Sequence, residues 1–234
     1  MKSEEKRTDR TENPFQFRKA SEQRKLFLEA LSQVPSVKSM TELELAEVKL
    51  PKNVILKPST VDASEESEEN AIPWTANDAE RIVLDLLGSV SPDAKSRFLR
   101  EPKAPTDPFG SPMVVFLART AIRCVNLIKF LLPFRKYAHL GSLFAKHKKL
   151  EEQAKFLREW HCQIAVGTPN RVLDLIDNGA LKLDRCVLFI IDMERDNKSV
   201  SILDSYETRD ELFSLYKSTI LPRLSDGSAK LAFF

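Results

Sequence analysis

Beyond Pro73 the chain alternates short apolar runs with stretches of helical spacing. Residues 113–118, 162–167, 186–191 and 229–234 are nearly continuous apolar runs of strand length, and 140–145 reads as a further strand. Between them lie helical patterns. Residues 76–87 carry Ile82, Val83, Leu86 and Leu87, closed by Gly88 as a stop. Residues 119–132 place Ile122, Val125, Ile128 and Leu132 on one stripe, and 147–160 form a charged helix burying Leu150, Ala154 and Leu157. Residues 169–178 and 207–219 complete the series. Apolar strands alternating with helices predict an α/β domain: a mostly parallel sheet with helices on both faces.

The pattern before Pro73 is different. The first twenty residues are polar and aperiodic, which predicts a flexible arm. Residues 21–31 form a short helix with Leu26, Phe27, Ala30 and Leu31 on one side. Residues 34–58 mix prolines with short apolar runs, expected to lie irregularly against something else. Residues 59–70 are acidic and Ser-rich, the composition of a linker. The expected division is an extended arm over 1–70 and a folded domain over 71–234.

Composition narrows the picture in three places. With 36 Lys and Arg against 34 Asp and Glu, the net charge of +2 is too even to argue for nucleic acid. Cys124, Cys162 and Cys186 are far apart, odd in number and without CxxC spacing, so core thiols in a reducing compartment are expected rather than disulfides or zinc. His139, His147 and His161 lack metal-ligand spacing, and Trp74 and Trp160 read as packing residues. The longest apolar runs are strand-sized and the charged N-terminus lacks the core of a secretory signal. A soluble intracellular protein is expected, with no membrane partner, cofactor, metal or small-molecule substrate.

The strongest local motif is Gly167-Thr168-Pro169-Asn170-Arg171, which follows a strand and opens a helix. Thr168 suits an N-cap, Pro169 the first helical position, and Gly179 the left-handed residue past the helix end. Two readings stay open: a well-capped helix and nothing more, or a helix start whose free amides, with Arg171, hold an RNA phosphate. Lys146, His147, Lys148 and Lys149 form a basic cluster where a strand meets a helix. Cations at a helix start oppose its dipole, so RNA phosphate, an acidic protein partner or an ordinary solvated surface are the alternatives.

Gly-Thr-Pro-x-Arg, a helix ending near Asn178-Gly179-Ala180-Leu181, and an apolar strand ending in Asp192 resemble the first RecA-like lobe of DEAD-box RNA helicases. Leu143-Phe144-Ala145-Lys146-His147 and Lys230-Leu231-Ala232-Phe233-Phe234 narrow the resemblance to the U3-containing 90S pre-ribosomal complex subunit family. It runs from about Pro112 to the end of the sequence. The resemblance implies a RecA-like fold and RNA contact by Thr168 to Arg171. It also implies a nucleolar setting in small-subunit assembly, with pre-rRNA or U3 snoRNA and other processome proteins as partners. A helicase turn after the first strand would bring Arg119 and Arg123 toward RNA, although Ala118-Arg119-Thr120 departs from its register.

The departures from a working helicase are large. Gly88, Gly110, Gly141, Gly167, Gly179 and Gly227 are isolated and none precedes a lysine, so no phosphate-cradling loop can be drawn. The segment matching the DEAD box reads Asp192-Met193-Glu194-Arg195. Asp192 could hold a hydrated magnesium, but Met193 replaces the second acid and Arg195 the last one. The Ser-Ala-Thr motif and second lobe that the family would carry fall outside this sequence. The expectation is a non-catalytic, helicase-like binding module. Its rivals are an ATP-dependent helicase completed by a partner and a purely protein-binding scaffold.

Overall fold

The computed structural model describes Phe15 and residues 18–59, 76–100, 108–137, 139–146 and 148–234. Strands β1 (Ile55–Leu56), β2 (Val114–Leu117), β3 (His139–Leu143), β4 (Cys162–Gly167), β5 (Leu188–Ile191) and β6 (Lys230–Phe233) form one six-stranded sheet of order β1-β6-β5-β2-β4-β3. Every neighbouring pair is parallel. The four central strands are fully buried apart from Lys230, as a sheet covered on both faces requires.

Alternation along the strands divides the interior into two clusters. Val115, Leu117, Ala165, Phe189, Ile191, Leu231 and Phe233 face one, while Val114, Phe116, Ile164, Val166, Leu188, Ile190 and Ala232 face the other. The first face is covered by α1 (Ala20–Ser32), α2 (Pro35–Lys38), α3 (Glu42–Glu47), α7 (Leu150–Glu159), α8 (Pro169–Asp177), α9 (Tyr206–Leu215) and α10 (Leu221–Ser225). The second is covered by α4 (Ala76–Val90), α5 (Pro92–Leu99) and α6 (Ala121–Phe130). Among the described residues, no helix is long and apolar enough to cross a membrane.

Three expectations need correction. Residues 20–58 are not an arm beside the domain: Phe27, Leu31, Val34, Val37, Leu50 and Val54 are buried in the first cluster. Tyr216 donates to the Val48 carbonyl at 3.1 Å, and Ile55 pairs with Leu231 as part of the sheet. The stripe on α6 is rotated: Ile122 is 65% exposed, while Cys124, Leu127 and Leu131 face inward. Gly88 does not stop α4, which runs on to Val90, and Ser91 then caps α5 by accepting from the Ala94 amide at 2.9 Å. The interval after α4, for which the pattern named no element, is helical over Pro92–Leu99, with Phe98 buried. The expected linker over 59–70, apart from Ser59, the extreme N-terminus, Trp74 and His147 lie outside the described residues.

Candidate nucleic-acid interface at the carboxyl edge of the sheet

Because the strands are parallel, everything that follows them gathers on one edge, the usual place for ligands in open α/β sheets. That edge has two chemically distinct halves.

The first half is built on β3 and β4. Gly167 and Pro169 are buried, so their contribution is geometric. A Cβ on Gly167 would lie 2.5 Å from the Leu143 carbonyl oxygen and 2.7 Å from Val172 Cγ2, so only glycine lets β4 come this close to β3. The Thr168 amide then donates to the Leu143 carbonyl at 3.2 Å, and Pro169 opens α8. Thr168 holds the extended conformation of an N-cap, but its hydroxyl makes no cap hydrogen bond, contrary to expectation. The amides of the first turn of α8 therefore receive no acceptor from the preceding side chain. At the far end Gly179, with φ of 72°, closes the helix as expected: its amide donates to Ile176 at 2.8 Å, and that of Ala180 to Leu175 at 3.1 Å.

Arg171 does not project freely. Its Nη1 donates to Gln153 Oε1 at 2.8 Å and to the Lys148 carbonyl at 3.3 Å, and its side chain is 14% exposed. Gln153, 3% exposed on α7, uses its amide nitrogen on the carbonyls of Ser142 at 2.8 Å and Phe144 at 2.9 Å. One buried glutamine thus ties the end of β3, the start of α7 and the start of α8 together. Around this clamp Lys146, Lys148, Lys149 and Asn170 are exposed. The Lys149 amide donates to Glu152 Oε2 at 3.3 Å at the start of α7.

The second half, where β2 and β5 end, is an ion-pair lattice. Thr120 caps α6 by accepting from the Arg123 amide at 3.2 Å. From that first turn Arg123 reaches Asp192, with Nε donating to Oδ2 at 2.9 Å and Nη2 to Oδ1 at 2.7 Å, while Nη1 pairs with Glu194. Arg119, expected to face RNA, is paired with Asp196. Arg195 pairs with Asp204 at 2.9 Å and donates to the Ser199 carbonyl at 2.6 Å. Met193 is buried. Burial raises the Asp192 carboxyl above the ordinary carboxylate range, and the Arg123 guanidinium opposes that rise. Burial opposes the charge on Arg123 as well, but its acidic neighbours outweigh burial and hold its proton more firmly than usual.

Sequence reasoning found the Gly167 to Arg171 turn and the lysine cluster, and the structure brings them together. It missed Gln153, Asp196 and the pairing of Arg123. Arg123 and Asp192 are 69 positions apart and Arg119 and Asp196 are 77 apart, so no local spacing could announce either pair.

The all-parallel sheet between two helical layers, with Gly-Thr-Pro-x-Arg at the β4–α8 junction and an aspartate closing β5, defines a RecA-like lobe of the DEAD-box kind. Residues 30–234 match the family described as the U3-containing 90S pre-ribosomal complex subunit, CMS1, and the chain belongs to that family. It is 40% identical over 101 residues to Protein CMS1 of Chaetomium thermophilum, covering 42% of this chain and 40% of the relative. Against Protein CMSS1 of Homo sapiens identity is 32% over 125 residues, covering 53% and 45%. The chain therefore spans less than half the length of these relatives. A solved structure of the yeast DEAD-box splicing factor Prp28 superposes with a TM-score of 0.45 at 19% identity, covering 69% of this chain and 35% of that one.

Proposed function

We propose that this chain is a non-catalytic assembly factor of the 90S pre-ribosome, acting in the nucleolus in 18S rRNA maturation. It grips the backbone of pre-rRNA or U3 snoRNA with the β3–β4 half of its carboxyl edge. The observation that carries this reading is the Arg171–Lys148 hydrogen bond, which joins the exposed lysines to the uncapped start of α8. Point charges and helix-start amides on one surface suit phosphate. Other processome proteins would contact the remaining surface.

Support for the absence of ATP turnover comes from the connection between β1 and α4. In a RecA-like fold a strand–loop–helix unit of this kind carries the glycine-rich phosphate cradle. Residues 57–75 contain no glycine, so the sequence of this connection lacks the glycines of such a cradle. The pairing of Arg123 with Asp192 argues in the same direction, against a helicase completed by a partner.

The test is the salt dependence of binding to single-stranded pre-rRNA fragments. Replacing Lys146, Lys148 and Lys149 together by alanine should lower the slope of log K against log salt by about 2 units if each holds one phosphate. An unchanged slope in a folded variant would favour the protein-binding scaffold.

A further inference from the structure

The helicase resemblance implies a hydrated magnesium ion beside the aspartate that ends β5. Magnesium demands octahedral oxygen coordination and normally uses one or two carboxylates plus waters. The residues present do not fit it. Both oxygens of Asp192 accept from one guanidinium, at 2.9 and 2.7 Å, and the third arm of that group pairs with Glu194. Asp192 and Glu194 stand two apart after a strand, which carries their side chains to the same side.

We propose that Arg123 is a built-in cation: it occupies the seat between Asp192 and Glu194, so the edge of the sheet is closed to divalent metal. Its position is fixed from both ends. The Thr120 cap holds the first turn of α6, and the Asp192 amide donates to the Leu117 carbonyl at 2.9 Å. Because a guanidinium keeps its charge at any accessible pH, the seat does not open by titration of the arginine. Asp192 is 1% exposed and needs a cationic partner, and Arg123 supplies it from within the chain. The start of the segment after β5, from Asp192 to Glu194, is thereby tied to α6 by a side chain of the chain itself. This inference does not rest on RNA binding, and it concerns the opposite half of the edge.

The experiment uses Mn2+ as the probe, read by electron paramagnetic resonance and by thermal unfolding of the full chain. Folded Arg123→Ala should bind Mn2+ at least about tenfold more tightly than wild type. Its melting temperature should rise with Mn2+, and both effects should vanish in Arg123→Ala with Asp192→Asn. A folded Arg123→Ala chain that binds no more Mn2+ than wild type would overturn the proposal. Should Arg123→Ala fail to fold, the wild type alone decides. Paramagnetic broadening of the Asp192 and Glu194 resonances at millimolar Mn2+ would overturn the proposal, and sharp resonances there would support it.

Discussion

Gln153 accepts a hydrogen bond from Arg171 at 2.8 Å while donating to two carbonyls of the β3–α7 junction. That relationship makes Arg171 a fastener of the edge rather than a free hand for ligand. The Lys148 carbonyl is part of the same knot, so the lysine cluster and the start of α8 are directly linked.

Replacing Gln153 by alanine removes the amide that serves the Ser142 and Phe144 carbonyls and one of the two acceptors of Arg171 Nη1, in a buried setting. A loss of about 2–4 kcal/mol in unfolding free energy is expected, measurable in urea titrations. Arg171→Ala should cost stability through the same knot, which makes it a poor probe of RNA contact. Lys148→Ala breaks only an exposed side chain, since the carbonyl that accepts from Arg171 remains.

Asp196 sets a pH response in the second half of the edge. The amides of Val200 and Lys198 donate to Oδ1, and together with Arg119 they hold its carboxyl below the ordinary carboxylate range. A carboxyl with a depressed folded value favours the fold while ionised. Its contribution is present above the unfolded value and lost as pH falls through the folded one. Amide resonances of Lys198 and Val200 should therefore stay constant from neutral pH down to the ordinary carboxylate range and shift only below it. A midpoint above that range would show that the turn is not held this way.

β4 and α8 were legible to the residue or nearly so, because an apolar run is cut sharply by Gly167, Thr168 and Pro169. β1 was not: two residues between prolines carry no periodicity, and they become a strand only by pairing with β6. On α6 both Ile122-Val125-Ile128-Leu132 and Cys124-Leu127-Leu131 satisfy helical spacing, so pattern alone could not choose the inward face. The lysine cluster and the Gly167 turn were visible as local chemistry. The clamp between them was not, since a lone glutamine on a helix announces nothing until two carbonyls come within reach.

The cysteines offer an independent check on the core. Cys124, Cys162 and Cys186 are free and buried, and burial pushes each thiol up to about 12. Thiolate is then scarce at pH 8, and Ellman's reagent should label the native chain far more slowly than the urea-unfolded chain. Rapid labelling of any of the three in native buffer would contradict the packing.

The proposed function has RNA lying on the β3–β4 half of the edge without nucleotide. Ultraviolet crosslinking of the full chain to pre-rRNA, with the linked peptides mapped by mass spectrometry, tests it most directly. Crosslinks at residues 146–149 and 168–171, unchanged by ATP and magnesium, are the expected result. Crosslinks confined to 119–123 and 192–204, or appearing only when ATP and magnesium are added, would contradict it.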